Sequence, residues 1–256
     1  MKCGTRMTSW TILSLYGRRV TTIINSSILQ WPHHSTSTVF LPPKESESIP
    51  IPMHIFKGRW HPSFTELPSV APRDSFLKRP LILLQDYDAE KEKPDKHDSR
   101  TPGDSLAHEA KVYEILKQHP HPNICVYHGC VRDGDHITAI CLKNYGRDLM
   151  EAVWERDPTL NPAVILDGIS KGLTFLHEKL GLVHNDINPA NIMLDDAGDP
   201  VIIDFDSCTP IGEKIGLSGK AGTFGWTMDP MPTISLPEND LYGLTQIGEF
   251  MKGKRS

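Results

Sequence analysis

The sequence predicts an α+β fold, on the strength of three observations. A short strand, a helix and a hairpin follow one another between Ser75 and Leu142. A longer helix with one apolar face begins at Asn161. Two short apolar runs, residues 192–194 and 201–203, then flank a turn and form a second hairpin. We therefore expect a small antiparallel β-rich part followed by a mainly helical part.

Composition places the chain among globular proteins and removes several classes. Its 256 residues are 38% apolar and 23% charged, which is the ordinary globular range. The longest apolar runs fall short of the ~18–20 residues that a membrane-spanning helix needs, and the chain has neither a heptad pattern nor a repeat of fixed period. Transmembrane, coiled-coil and solenoid folds are therefore excluded, and no membrane contact is expected.

Charge and cysteine content narrow the range of partners. The 27 basic residues are outnumbered by 32 acidic ones, for a formal net charge of −5. Because the basic residues form no long run, no nucleic-acid partner is expected. The five cysteines are an odd number and include no Cys-x-x-Cys pair, which favours neither a disulfide framework nor a zinc site. We expect a reducing compartment and a protein or small-molecule partner.

Two stretches differ in composition from the rest. Residues 1–44 carry basic residues and many Ser and Thr, with no acidic residue before Glu45. This composition is typical of a transit peptide or a disordered tail, so we expect a disordered or targeting leader outside the fold. Residues 86–103 crowd Asp, Glu, Lys, Pro and Ser without periodicity, which predicts a solvated loop.

The elements of the first part follow from local signals. Residues 75–78 form a short strand that Pro80 stops, since proline has no N–H to donate to the ladder. Apolar residues at helical spacing predict a helix over residues 106–117, ending before Pro120. Residues 127–131 and 137–142 predict two strands joined by a turn at Asp133 and Gly134.

The second part begins with the strongest helical signal in the chain. Asn161 is a favourable N-cap and Pro162 a favourable first-turn residue. Four apolar residues along one helical face then predict a buried helix up to about Lys179, namely Ile165, Ile169, Leu173 and Leu176. Residues 195–199 (DDAGD) form the turn of the hairpin that follows.

Polar residues bracket this second hairpin. Residues 184–191 (HNDINPAN) precede it and residues 204–206 (DFD) follow it, so Asp186, Asn191 and Asp204 can converge at one end. Carboxylate and amide oxygens suit Mg2+, and phosphoryl transfer depends mainly on positioning and charge neutralisation. The pattern favours a site in which one carboxylate orients the attacking hydroxyl while the amide and the other carboxylate hold Mg2+.

These motifs resemble those of the protein kinase family, whose catalytic loop reads HRDLKPxN and whose magnesium loop reads DFG. Residues 75–78 (SFLK) resemble the strand motif VAIK, and residues 121–124 (HPNI) resemble the link after the helix that carries Glu109. Residues 222–226 (GTFGW) resemble the end of the activation segment, and residues 240–244 (DLYGL) the start of the large helix beyond it. The resemblance covers roughly residues 76–251. Within the family, the sequence looks most like the short, divergent kinase-like proteins of fungi.

The resemblance implies a two-lobed α+β kinase fold that binds ATP and Mg2+ in the cleft between its lobes. The small, antiparallel β-rich lobe would span residues 45–142 and the mainly helical large lobe residues 143–256, truncated at its C-terminus. The catalytic residues would be Asp186, Lys78 and Thr223, and the nucleotide- and cofactor-binding residues Lys78, Glu109, Asn191 and Asp204, of which Asn191 and Asp204 would bind the metal.

The family's roles carry over to these positions one by one. Lys78 would contact the α- and β-phosphates and be held by an ion pair with Glu109. Asp186 would orient the acceptor hydroxyl and act as base, with Thr223 beside it. By the same resemblance, His184 is a structural residue that packs against the phenylalanine of the magnesium loop.

Several features depart from the family pattern. Only one glycine, Gly58, lies in the 25 residues or so before the strand that carries the lysine, so the glycine-rich phosphate loop is missing. Asn185 replaces the arginine that pairs with a phosphorylated activation segment, and Asn188 replaces the lysine near the γ-phosphate. Asp206 replaces the glycine of DFG, and the APE motif is degraded around residues 228–230.

Three functions stay open at this level. The first is Ser/Thr protein kinase activity, favoured by the intact catalytic set, and the second is a pseudokinase that binds or scaffolds. The third is a small-molecule kinase of the aminoglycoside or choline kinase type, to which residues 184–191 and 203–206 are also similar, although residues 121–124 and 222–226 are typical of protein kinases. We expect a protein substrate or scaffold partner. The expected location is cytoplasmic or nuclear, or mitochondrial if residues 1–44 are a targeting leader. The oligomeric state stays open.

Overall fold

The computed structural model describes residues 10–13, 19–22, 53–80, 100–215 and 222–253. The chain divides into two compact units, one taking in Met1–Pro52 and Leu83–Glu90 and the other Met53–Ile82 and Lys91–Ser256. In the first unit, strands β1 (Trp10–Leu13) and β2 (Arg19–Thr22) pair antiparallel. The rest of the predicted leader, and most of the loop predicted over residues 86–103, lie outside the described residues.

The second unit begins with an antiparallel sheet centred on one long strand. Its members are β3 (Gly58–Arg59), β4 (Ser75–Lys78), β5 (Tyr127–Asp133) and β6 (His136–Lys143). Strand β6 pairs with each of the other three. The strand over residues 75–78 is confirmed, whereas the hairpin turn is Gly134–Asp135, one residue later than expected, because Asp133 still pairs with His136.

Helix α1 (Pro102–Gln118) packs against this sheet. It begins earlier than the sequence pattern suggested, because Thr101 and Asp104 form a reciprocal capping box around Pro102. Residues 102 and 103 therefore belong to the helix and not to the predicted loop. Its apolar face lies in the core, with Ala110 and Tyr113 fully buried.

The remaining elements build a mainly helical lobe with short strand pairs. They are β7 (Arg147–Asp148), α2 (Leu149–Trp154), α3 (Pro162–Thr174), β8 (Leu182–Val183), β9 (Ile192–Leu194), β10 (Pro200–Ile202), β11 (Thr209–Pro210) and α4 (Pro237–Met251). Strand β9 pairs with both β7 and β10, and β11 pairs with β8. The sheet with α1 and this helical part make the two-lobed α+β architecture that the resemblance implies.

Helix α3 forms the centre of the large lobe. Asn161 caps it by accepting hydrogen bonds from the N–H groups of Ala163 and Val164. The α-helix ends at Thr174, and the chain continues as a π-helical turn over Phe175–Leu180, so the predicted helix to about Lys179 is two helical segments. A Cβ at Gly172 would come within 2.8 Å of the Ile202 side chain, so this glycine lets β10 lie close against α3.

Helix α4 lies beside α3 and the loop that follows β8. It begins at Pro237, three residues before the predicted start, because proline suits the first turn of a helix. Asp240 in that first turn is fully buried. Among the described residues, no helix is both long and apolar enough to span a bilayer.

Candidate active site

A lysine and two carboxylates meet between the lobes. Lys78, the last residue of β4, places its Nζ 2.7 Å from the Glu109 carboxylate on α1 and 2.5 Å from Asp204 Oδ1 beyond β10. Glu109 is 1% exposed, whereas the Lys78 side chain is 24% exposed. Three predicted site residues are thus brought together. In the sequence, Lys78 lies 31 positions from Glu109 and 126 from Asp204.

The electrostatics of this group keep the lysine charged. Burial lowers the pKa of Lys78, but the carboxylates of Glu109 and Asp204 outweigh burial and hold that pKa above its ordinary value. Burial raises the pKa of Glu109, and the Lys78 ammonium opposes the rise. The ammonium is therefore a fixed positive charge in the cleft, held where phosphate oxygens could contact it.

Glu109 also fixes the loop that carries Asp204. Its carboxylate accepts the Phe205 N–H at 3.2 Å. The buried Phe205 ring lies edge-on to Tyr113 and His184, with ring centroids 5.3 and 5.0 Å away. His184 is thus where the resemblance places it. Asp204 has a left-handed φ of 64°, an uncommon conformation for a residue other than glycine, and contacts Lys78 from there.

A second group of polar side chains surrounds Asp186, which is 6% exposed. Asp186 Oδ1 accepts hydrogen bonds from the N–H and the hydroxyl of Thr223, each at 2.8 Å, and from the Asn188 amide at 3.1 Å. Asp186 Oδ2 accepts from the Asn191 amide at 3.2 Å. Burial raises the pKa of Asp186, while the hydrogen bonds from Thr223 and Asn188 oppose the rise.

Asn188 belongs to this group, although the motif comparison presents it only as the loss of a lysine. Its Nδ2 donates to Asp186 Oδ1 at 3.1 Å and lies 3.2 Å from Thr223 Oγ1. Its Oδ1 accepts the Ala190 N–H, which caps a short 3-10 turn. The Asn-Pro pair at 188–189 is a capping signal that could have pointed to this role. A neutral amide therefore aligns Asp186 with Thr223.

Asn191 and Asp204 fit a magnesium ion by donor type. The Asn191 amide nitrogen donates to the Asp186 carbonyl oxygen at 2.9 Å and to Asp186 Oδ2 at 3.2 Å, so its side-chain oxygen is the atom left for a cation. Asp204 lies close enough to raise the pKa of Asp186. No three His, Cys, Asp or Glu side chains form a metal cage in the described residues. Mg2+ needs none, since it binds one or two protein oxygens together with phosphates.

Asp240 holds the backbone that presents Asp186. Its buried carboxylate accepts the N–H groups of His184 at 2.9 Å and Asn185 at 2.8 Å, and lies 2.8 Å from His177 Nε2. In the sequence, residue 240 resembles only the start of a helix and carries no sign of these contacts. The catalytic loop is therefore tied to α4 by two charge-assisted hydrogen bonds.

The stretch where the family has its glycine-rich loop braces α1 instead. A Cβ at Gly58 would come within 2.5 Å of the Gly103 carbonyl oxygen, so the two backbones are in close contact. The N–H and hydroxyl of Thr65 donate to the Glu114 carboxylate on α1, at 2.5 and 3.0 Å. Residues 53–67 thus pack on the small lobe, and no glycine-rich hairpin covers the cleft in the part of the chain that the structure describes.

A cavity of about 730 Å³ lies elsewhere, between residues 146–147, the start of α3 and the turn between β9 and β10. None of the predicted site residues lines it. The candidate active site is therefore defined by its two hydrogen-bonded groups and not by this cavity.

Comparison with known proteins gives a family. Residues 86–230, more than half of the chain, match the protein kinase domain. The dual specificity protein kinase FUZ7 of Mycosarcoma maydis is 27% identical over 95 residues, which are 36% of this chain and 22% of the relative. Mitogen-activated protein kinase kinase kinase 3 of Arabidopsis thaliana is 26% identical over 157 residues, 60% of this chain and 23% of the relative.

A shorter and stronger similarity comes from a third relative. The cysteine-rich receptor-like protein kinase 45 of Arabidopsis thaliana is 52% identical over 71 residues, 26% of this chain and 20% of the relative. The matched stretch is thus less than a quarter of the length of each of these three relatives. Since the domain match covers more than half of the sequence and the two-lobed fold agrees with it, the chain belongs to the protein kinase domain family.

Proposed function

We propose that this protein transfers the γ-phosphoryl group of ATP to a Ser or Thr hydroxyl of a protein, with Mg2+. One observation carries the proposal: Asp186 is buried and oriented by Thr223, Asn188 and Asn191, while Asp204, which is close enough to raise the pKa of Asp186, is paired with Lys78. The proposal assigns residues 45–142 to the small lobe and residues 143–256 to the large lobe, with residues 1–44 as a leader.

In the proposed reaction, the acceptor hydroxyl oxygen forms a bond to the γ-phosphorus while the bond from that phosphorus to the bridging oxygen of ADP breaks. The hydroxyl proton passes to the Asp186 carboxylate. The raised pKa of Asp186 suits this step, because a base closer in pKa to the working pH accepts a proton more readily. Thr223 and Asn188 hold the carboxylate in place by occupying Oδ1, so that its orientation is set before the acceptor arrives.

Lys78 would act on the phosphates of the nucleotide, whereas Asp186 would act on the acceptor hydroxyl. Its ammonium, fixed by Glu109 and Asp204, would contact phosphate oxygens and neutralise part of their charge. Asn191 and Asp204 would hold Mg2+, which supplies further neutralisation of the phosphates when it is bound.

A protein acceptor is favoured over a small molecule by the surface beside Thr223. Phe224 follows Thr223 directly and is 93% exposed, which gives the acceptor side of the cleft an apolar side chain that a polypeptide could cover. The kinases reported above are also named as protein kinases. Small alcohols and amino sugars would leave this side chain in water.

A pseudokinase is the second candidate, and a specific observation favours it. Residues 53–67 are used to brace α1, so the backbone amides that would cover the phosphates are not supplied from there. In addition, Asn188 is neutral where the family has a lysine. A protein with this site could bind nucleotide weakly and act through its surface alone.

The experiment that tests the proposal measures the melting temperature of the full chain with and without MgATP, then transfer from labelled ATP to a mixture of Ser/Thr peptides and to small alcohols and amino sugars. Saturation at a hundred times the dissociation constant should stabilise by roughly 2.7 kcal/mol, about 5–10 °C. Asp204→Asn is the control that should lose the magnesium dependence of the shift. Labelled peptides support the proposal, labelled small molecules contradict the protein acceptor, and a shift without any transfer supports the pseudokinase.

A further inference from the structure

We propose that Asn185 is a positioning residue for the proposed phosphoryl transfer: its side-chain amide links the catalytic loop to both flanks of the activation segment and so keeps Thr223 on Asp186. The inference rests on the proposed function, but the contacts that carry it are separate from Lys78, Asn191 and Asp204. It gives a role to a residue that the motif comparison presents only as a missing arginine.

The amide nitrogen of Asn185 lies among several hydrogen-bond acceptors. Asn185 is 6% exposed. Its Nδ2 lies 3.2 Å from the Ser207 carbonyl oxygen, 2.9 Å from Thr209 Oγ1 and 3.0 Å from Ser235 Oγ. Ser207 and Thr209 follow the magnesium loop, whereas Ser235 precedes α4. One amide group therefore contacts the chain on both sides of the segment that contains Thr223.

The amide oxygen makes the connection to α4 as well. Asn185 Oδ1 accepts a hydrogen bond from Asn239 Nδ2 at 3.0 Å. The same Asn239 nitrogen donates to the Ile234 carbonyl oxygen at 2.9 Å. Both ends of the Asn185 amide are thus occupied, and all of these partners are neutral groups. An uncharged network holds the ends of the activation segment where the family's arginine would need a phosphate.

The backbone of Asn185 also lies against Gly222, the residue before Thr223. Gly222 has a φ of 92°, and a Cβ on it would come within 3.1 Å of the Asn185 carbonyl oxygen. The backbone next to Thr223 therefore packs directly on the backbone of Asn185. Asp186, which accepts the Thr223 N–H at 2.8 Å, is the next residue in the chain. A shift of Asn185 would move both partners of the Asp186–Thr223 contact.

The backbone of Asn185 itself has a left-handed φ of 66°. Asparagine, aspartate and glycine tolerate this region better than other residues. Asn185→Gly therefore keeps the backbone and removes the side chain, and Asn185→Asp keeps the shape but replaces the amide donor with an acceptor. These two substitutions separate the hydrogen bonds of Asn185 from its conformation.

The test compares these variants of the full chain in two measurements. Hydrogen exchange at the Thr223 amide should become at least about fivefold faster in both variants, because a lost buried hydrogen bond is worth about 1 kcal/mol or more and about 1.4 kcal/mol is a factor of ten. The turnover number of transfer should fall about tenfold or more, while the KM for MgATP and the thermal shift with MgATP stay at the parent's values. A purely structural role would instead change nucleotide binding and turnover together.

The matched control is Arg156→Gly, since Arg156 is an exposed non-glycine residue with a φ of 54° outside the site. It should leave both measurements unchanged. If the Asn185 variants fold poorly, Ser235→Ala keeps the buried Cβ and removes one hydroxyl partner, and should give the same changes at smaller size. Parental exchange at Thr223 in correctly folded variants overturns the inference. Should the parent transfer no phosphate, the proposed function fails, and the exchange measurement still decides whether Asn185 holds Thr223.

Discussion

The two halves of the candidate site hold their charges in different ways. On the phosphate side, the cation of Lys78 is balanced by the carboxylates of Glu109 and Asp204. On the acceptor side, the buried carboxylate of Asp186 is held by an N–H, a hydroxyl and two amides, and within the described part of the chain no lysine or arginine is among its hydrogen-bond partners. The first half is thus charged and pre-formed, whereas the second depends on aligned dipoles, which are easily weakened by the loss of one partner.

Asp186→Asn should have the largest effect, because it removes the proposed base. We expect transfer to fall by about 10²–10⁴-fold, with the thermal shift on MgATP retained since the phosphate side is untouched. Steady-state transfer and melting curves of the same preparation check both statements. An Asp186→Asn variant that keeps the parent's turnover would show that Asp186 is not the base. Asn188→Ser, measured in parallel, shows how much activity is lost when only the residue that orients Asp186 is changed.

Lys78→Met should affect both activity and stability. It leaves the Glu109 carboxylate buried without its cation, which should cost about 3–5 kcal/mol at neutral pH, and should lower transfer by about 10²-fold. Adding Glu109→Gln to Lys78→Met should recover part of the lost stability and none of the activity, as measured by urea denaturation and turnover. Equal stability of the single and double variants would contradict the ion-pair description.

Asn188→Ala should have a smaller effect, confined to the acceptor side. The Asp186 carboxylate loses a hydrogen bond to its charged form, so its pKa should rise further. The acid limb of the pH–rate profile should then move to higher pH, by up to about one unit. The rise in melting temperature on adding MgATP serves as the control, since this rise should depend only on the phosphate side, whatever stability the variant loses with the cap of Asn188. A profile that does not move would show that Asn188 leaves the base unaffected.

The pH dependence of stability should show the smallest effect. Because burial raises the pKa of Asp186 in the folded state above its ordinary value of 3.8, the folded protein keeps a proton that the unfolded chain has released. This carboxylate therefore lowers stability progressively as the pH rises from about 4 through its folded pKa. Melting curves from pH 4 to 7 should show that the melting temperature of Asp186→Asn increases relative to that of the parent as the pH rises. A difference in melting temperature that stays constant over this range would contradict the raised pKa of Asp186.

Whereas α2 was not predicted and α4 only through the resemblance, helices α1 and α3 and the three motif residues Asp186, Asn191 and Asp204 were within reach of the sequence. Their signals are local: caps, apolar spacing and short strings of polar residues around one hairpin. The predicted contact between Thr223 and Asp186 depended on the family pattern, since the two positions are 37 apart. The structure brings them together in the expected way.

Other features could not be predicted, because their partners are distant in sequence. Asn185 contacts Ser235 across 50 positions, and Thr65 contacts Glu114 across 49. A lone asparagine or threonine carries no local signal of such a partner. The missing glycine-rich loop could be seen as an absence, but the bracing of α1 by residues 53–67 could only be seen in three dimensions. Long-range polar contacts of this kind were therefore not predictable from the sequence.

The 126 positions between Lys78 and Asp204 have a consequence for synthesis of the chain. A ribosome adds about 5–20 residues per second, so Lys78 exists for about 6–25 seconds before Asp204 is made. Glu109 is available much sooner, 31 positions after Lys78. The nascent small lobe can therefore form one ion pair early, whereas the second must wait for the strand pair of the large lobe. Lys78 therefore has one carboxylate partner before the second has been synthesised.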